Sequence, residues 1–156
     1  MFNLAIAVAL TVHGAGAASE DASRAARAES AATTQREVGE MKIRVNVGGR
    51  VITGTLADTE SARDFASLLP LTLTLKDYSG TEKIADLPRR LSTKGAPEGS
   101  DPSIGDIAYY APWGNLAFFY RDFGYSRGLI TLGWLDSGIE VLSGREPVKV
   151  TIEIVK

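Results

Sequence analysis

No cysteine occurs in the 156 residues, which excludes disulfides, thiolate nucleophiles, thiolate zinc sites and lipid attachment at a cysteine. Histidine is nearly as scarce. The single one, His13, lies in the N-terminal apolar stretch and leaves residues 41 to 156 with none. Ser-His-Asp and Cys-His catalysis, histidine-ligated zinc and histidine acid-base chemistry are thereby removed from that region. An excess of charge of one sign is missing too: 17 Lys/Arg and 19 Asp/Glu are well mixed, with a net charge of −2. Without a basic stripe to meet a phosphate backbone, nucleic acid is not an expected partner. No apolar run approaches the roughly 20 residues that cross a bilayer.

The N-terminus carries a shorter run, Phe2 to Val12, followed by Ala15-Gly16-Ala17 placed like an A-x-A cleavage site. The pattern predicts a signal peptide over 1–17 and export to the periplasm or medium, with no membrane attachment of the mature chain. If translation starts near Met41 instead, the domain is cytoplasmic. Residues 18–40 are rich in Ala, Ser and charge, with Val38 as the one large aliphatic residue, and predict a tether of low order. The domain is expected over 41–156. Nothing in the sequence fixes an oligomeric state.

Within the domain, "MKIRVNV" alternates apolar and polar residues, breaks at Gly48-Gly49 and resumes as "RVITGTL", the pattern of a β-hairpin. Asp58 or Thr59 can cap a short helix with Ala62, Phe65, Ala66 and Leu69 on one face, ended by Pro70. "LTLTLKDY" is a half-buried strand. The polar stretch from Ser79 to Gly105, with three prolines, reads as loops around at most one short strand. Strands are then expected at Asp106–Ala111, Asn115–Arg121, "GLITLGWL" and "PVKVTIEIV", with a helical turn near Gly138 to Ser143. Many short strands with small turns predict a closed or nearly closed barrel.

Four groups of residues invite a chemical reading. Gly124 to Gly128 spells G-x-S-x-G, but a nucleophile elbow needs a helix after the serine and a histidine downstream, and here a strand follows and no histidine does. Asp101 and Asp106, or Asp58, Glu60 and Asp64, lack metal-ligand spacing, so no metal or cofactor is expected. Arg89 and Arg90 form a paired-arginine turn, an anion contact or ordinary surface. The fourth group is aromatic: eight of the 12 aromatic residues fall between Gly105 and Ser126. Period two puts Ile107, Tyr109, Leu116, Phe118 and Tyr120 on the core face and Ala108, Tyr110, Ala117, Phe119 and Arg121 on the other. Small alanines beside aromatic rings and one charge suit a ligand groove.

The stretches "MKIRVNVGGR", "LPLTLTLKDYSGTEKIADLPRRL" and "GAPEGSDPSIGDIAYYAPWGNLAFFYRDFGYSRGLITLG" closely resemble the bacterial cyclophilin-like family, small proteins of largely unassigned role. The resemblance implies a mainly β fold, a closed eight-stranded cyclophilin-like β-barrel with two short helices. More distantly, "GNLAFF" and "GLITLGWLDSGIEVL" resemble segments of the cyclophilin peptidyl-prolyl isomerases. That likeness places Phe119 on a phenylalanine lining the proline pocket, Ala117 where those enzymes have glutamine, and Tyr110 near the pocket floor. Their F-H-R and glutamine motifs have no counterpart, the region reading "DYSGTEKIADLPRRLS". The expectation is a domain that binds a peptide or small molecule in an aromatic groove of Tyr110, Ala117, Phe119 and Arg121 without catalysis. A weak or atypical isomerase, with Arg121 or Arg89 as the donor to the twisted amide, is the alternative. A third outcome has the rings merely packed beneath the Ser79–Gly105 loop.

Overall fold

Alternation sends Ile43, Val45 and Val47 to the buried side of β1 (Met41–Val47) and Lys42, Arg44 and Asn46 to the other. In the computed structural model, which describes residues 23–27 and 39–156, the turn at Gly48-Gly49 folds β1 directly onto β2 (Arg50–Leu56). Both turn residues sit at positive φ, 56° and 88°, where glycine carries no steric cost. Thr59 caps α1 (Glu60–Ala66) by accepting the Ala62 N–H at 3.2 Å, and Ala62 and Phe65 are fully buried beneath it.

After α1 come β3 (Leu71–Tyr78), β4 (Glu82–Asp86), β5 (Gly99–Ser100), β6 (Asp106–Tyr110) and β7 (Asn115–Phe119). Then follow β8 (Ser126–Arg127), β9 (Leu129–Leu135), a 3-10 turn at Ile139–Leu142 and β10 (Val148–Ile154). Eight strands close into an antiparallel barrel in the order β1-β10-β3-β4-β7-β6-β9-β2, leaving no open edge, while β5 and β8 pair separately. The fold is thus the mainly β, eight-stranded barrel with two short helices that the sequence implied. Its interior is filled from β1, β2, β3, β6, β7, β9 and β10, with Leu87 and Leu91 inserted from the long loop.

That loop departs from expectation in content. The Ser79–Gly105 stretch supplies two strands, one of them, β4, integral to the barrel between β3 and β7. Lys83 hides β4 from an alternation argument, because this charged residue faces the barrel interior, opposite Phe118. Fully buried, its ammonium donates to the carbonyls of Gly144 and, at 2.7 Å, Glu146, and lies 3.8 Å from Asp77 across the β3–β4 pair.

The rest of the loop is tied down. Arg89 reaches both Asp64 oxygens at 3.0 and 2.7 Å, holding that carboxyl below the usual carboxylate range together with the Ser92 N–H. Arg90 donates to the Ala111 carbonyl at 2.6 Å. The paired arginines therefore serve the fold. Asp58 pairs with Arg63, and Asp106 is half-buried and accepts the Ser103 N–H at 3.0 Å.

β7 ends at Phe119, two residues sooner than its sequence pattern suggests. Tyr120 and Arg121 both direct their N–H groups to the Thr81 carbonyl, at 3.1 and 3.2 Å, so strand alternation stops there. Tyr120 is consequently half-buried rather than core, and its hydroxyl donates to Asp77. Burial and that carboxylate push the Tyr120 phenol up to about 12, while the hydroxyl holds Asp77 below its ordinary range. The raised phenol contributes stability that is complete below the unfolded tyrosine value of about 10 and lost as pH rises toward the folded one. In an absorbance titration at high pH, one late-ionising tyrosine is expected near pH 12, and Tyr120→Phe should delete that step. A titration curve unaltered by the substitution would refute the assignment.

Of the N-terminal region, residues 23–27 form an exposed helical turn. The signal-peptide reading lies wholly outside the described residues and the tether reading mostly so. Residues 39–156 form one compact unit. Among the described residues no helix is long and apolar enough to cross a membrane.

Candidate functional site

Strand pleat divides the aromatic segment as its period-two pattern predicts. Ile107, Tyr109, Leu116 and Phe118 point into the barrel, whereas Ala108, Ala117, Phe119 and Leu129 form a second buried cluster outside it, flanked by Ile84 and Tyr110. Adjacent residues of one strand thus serve two different cores. Register builds the outer face from three strands: Ile84 of β4 lies opposite Ala117 of β7, which in turn lies opposite Ala108 of β6.

Over this face lies a cleft of about 180 Å³. Small Ala117, nearly fully buried, lines it together with Ile84 and Leu129, and aromatic rings surround them as walls. Tyr110, Trp113 and Tyr78 line it together, with Trp113 edge-on to both tyrosines at centroid distances of 5.2 and 5.5 Å. Phe119 and Phe123, 6.3 Å apart, supply a further aromatic wall. Trp113 is positioned by the tight turn between β6 and β7, in which the Gly114 N–H donates to the Tyr110 carbonyl at 2.9 Å and Gly114 adopts φ +73°. Trp113 stays 55 % exposed at the cleft although it packs against both tyrosines.

Two polar side chains interrupt the apolar lining. Asn115, only 3 % exposed, leaves its Oδ1 with no hydrogen-bond partner among the described residues. Glu82, opposite Phe119 on β4, is 9 % exposed and accepts a hydrogen bond from the neighbouring Thr81 hydroxyl. Burial pushes the Glu82 carboxyl up, opposed by the Thr81 hydroxyl and reinforced by the negative charge of Asp77. None of the residues lining the cleft is a lysine or arginine.

Of the residues singled out from sequence, the structure brings Tyr110, Ala117 and Phe119 together and leaves Arg121 apart. Arg121 is exposed and borders a different hollow with Ser79, Gly80, Tyr120 and Arg145, because the bend at Thr81 carries the chain away after Phe119. Sequence reasoning overlooked Tyr78, Glu82, Trp113, Asn115 and Phe123. Asn115 had a usable signal, since it shares the strand parity of Ala117 and Phe119. Ser126 also borders the cleft but sits in β8 and is followed by β9, so the helix that a nucleophile elbow requires is replaced by a strand. Among the described residues, no three His, Cys, Asp or Glu side chains gather to hold a metal ion.

A family model described as the cyclophilin-like family matches residues 45–153, most of the barrel. The chain belongs to the cyclophilin-like family. Among solved structures it is similar to a hypothetical protein of Archaeoglobus fulgidus, with a TM-score of 0.52 and 18 % identity over 75 % of this chain and 96 % of that one. At that identity the likeness speaks for the fold alone. No curated protein matches the chain. In this cyclophilin-like domain the cleft lies on the outside of the barrel, over β4, β6 and β7, and its walls are completed by the β6–β7 turn and the Phe123 loop.

Proposed function

We propose that this cyclophilin-like domain binds a peptide or a small molecule in the cleft and performs no chemistry on it. The observation that carries the reading is the Asn115 amide oxygen, buried without a partner at an aromatic-walled cleft. Leaving a buried acceptor unsatisfied costs about 1–3 kcal/mol, and a ligand donor would offset that cost. Apolar lining with a few placed polar groups is the usual construction of a ligand site.

Prolyl isomerisation would require a donor that binds the twisted amide better than the planar one. Neither arginine considered for that task is at hand, since Arg121 lies at another hollow and Arg89 is engaged with Asp64. The domain is therefore expected not to accelerate isomerisation of a proline-containing peptide. Action outside the cytoplasm is part of the proposal and rests on the Phe2–Val12 run and the Ala15-Gly16-Ala17 pattern.

Binding is testable by NMR titration with a panel of short peptides and fragment-sized molecules. At least one compound should shift the Trp113 indole and Asn115 side-chain amide signals saturably, and Phe119→Ala should weaken it at least about tenfold. If no compound perturbs those signals, or the Phe119 variant binds as well as wild type, the cleft is not a ligand site.

A further inference from the structure

The one charged group lining the cleft is a carboxyl, and no lysine or arginine accompanies it. The faces of Tyr78, Trp113 and Phe119 carry the negative side of the ring quadrupole, the Asn115 amide oxygen is an acceptor without a donor, and Glu82 is a nearly buried carboxyl. The nearest basic residue in sequence, Lys83, is turned to the opposite side of β4 and spent on the Gly144 and Glu146 carbonyls. A buried carboxyl ordinarily has a cationic partner. Glu82 has instead a threonine hydroxyl and, as its electrostatic neighbour, another carboxylate, Asp77.

We infer that the ligand of this cleft presents a guanidinium group. The inference rests on the proposed binding role and names the chemistry of what is bound. An anion would face the Glu82 carboxyl with no cation in the lining to offset the repulsion, and an apolar ligand would leave Asn115 Oδ1 without a donor and Glu82 without a cationic partner. A quaternary ammonium would satisfy the rings and the charge but offer no N–H to Asn115. A guanidinium meets all three demands, because it is planar and stacks on aromatic faces, is always charged, and carries five N–H donors in a fork that fits a carboxylate. Glu82 becomes its counter-ion, Asn115 its second acceptor, and the aromatic walls exclude water from both.

The test compares two pairs of probes differing only in guanidinium against urea: acetyl-Gly-Arg-Gly-amide with its citrulline analogue, and N-ethylguanidinium with N-ethylurea. Affinities are read from the Trp113 indole resonance of the full domain. The arginine peptide is expected to bind at least about tenfold more tightly than the citrulline peptide, and Glu82→Gln should erase that preference. N-ethylguanidinium binding as tightly as the arginine peptide would assign the group to a free small molecule, and tighter peptide binding would assign it to a peptide side chain. Equal affinities for arginine and citrulline, or a preference that persists in Glu82→Gln, would overturn the inference. The wild-type comparison decides the matter even if the variant does not fold. Silence of all four probes, while another compound of the panel still moves Trp113 and Asn115, overturns the guanidinium and leaves the binding role intact. Silence of every compound overturns both.

Discussion

Lys83→Met is expected to lower the unfolding free energy by about 3 kcal/mol, as breaking one side of a buried charge pair does. The methionine nearly matches the lysine stem in volume, so little of this loss is a cavity. It comes from the groups left behind. In the native barrel the Lys83 ammonium, with 0 % exposure, satisfies the Gly144 and Glu146 carbonyls and faces Asp77 across the strand pair. Those carbonyls belong to the segment that leads into β10, and β10 pairs with both β1 and β3. One side chain of β4 thereby fastens the loop that delivers the last strand. Hydrogen bonds to a charged donor contribute about 1.5–3 kcal/mol each, and orphaned acceptors add their desolvation cost. Urea unfolding should show a lower midpoint with an unchanged slope. A loss below about 0.5 kcal/mol would mean that water or the loop itself replaces the ammonium at little cost.

Lys83 also marks where reading the chain by periodicity stops working. Where one face is apolar and the other polar, as in β1, β3 and β10, the pleat is legible directly and so is the barrel built from it. The aromatic segment was legible for the same reason, to the point of separating Phe118 inside from Phe119 outside on adjacent positions. β4 breaks the rule, since the most buried of its interior residues is charged, and the exception makes sense only once the Gly144 and Glu146 carbonyls are seen beneath it. The site was half legible. Its floor and one wall follow from strand parity and the family resemblance, but Tyr78 and Glu82 arrive from elsewhere in the chain, and only the pairing of β3 with β4 and of β4 with β7 brings them there. Arg121 failed for a local cause, two successive N–H groups sharing the Thr81 carbonyl, which no pattern of side chains encodes.

Gly133→Ala should be the costliest single methyl group that can be added to the barrel, at about 3 kcal/mol or more, the upper end of what overpacking brings. Gly133 sits in β9 where that strand bridges β6 and β2, opposite Ile107 on one side and Leu56 on the other. The register with β6 shifts between Ile107 and Ala108, so that Leu132 is an extra residue on β9 and the strand is bulged beside the glycine. Its φ is not positive, and the need for glycine is one of space. A Cβ there would stand 2.1 Å from the Thr55 carbonyl oxygen and 2.8 Å from the Leu56 Cα, both backbone atoms of β2 that no rotamer change can withdraw. β2 meets β9 over only three residue pairs, the junction that closes the barrel, so pushing the strands apart there threatens closure itself. Gly124→Ala is the matched control, because its Cβ would meet nothing within 4 Å and its φ is not positive, and it should stay within about 0.5 kcal/mol of wild type. Denaturant midpoints of the two variants measured side by side decide the matter. Similar stabilities would show that β2 and β9 can separate by the width of a methyl group without cost, and that the bulge rather than the glycine sets their approach.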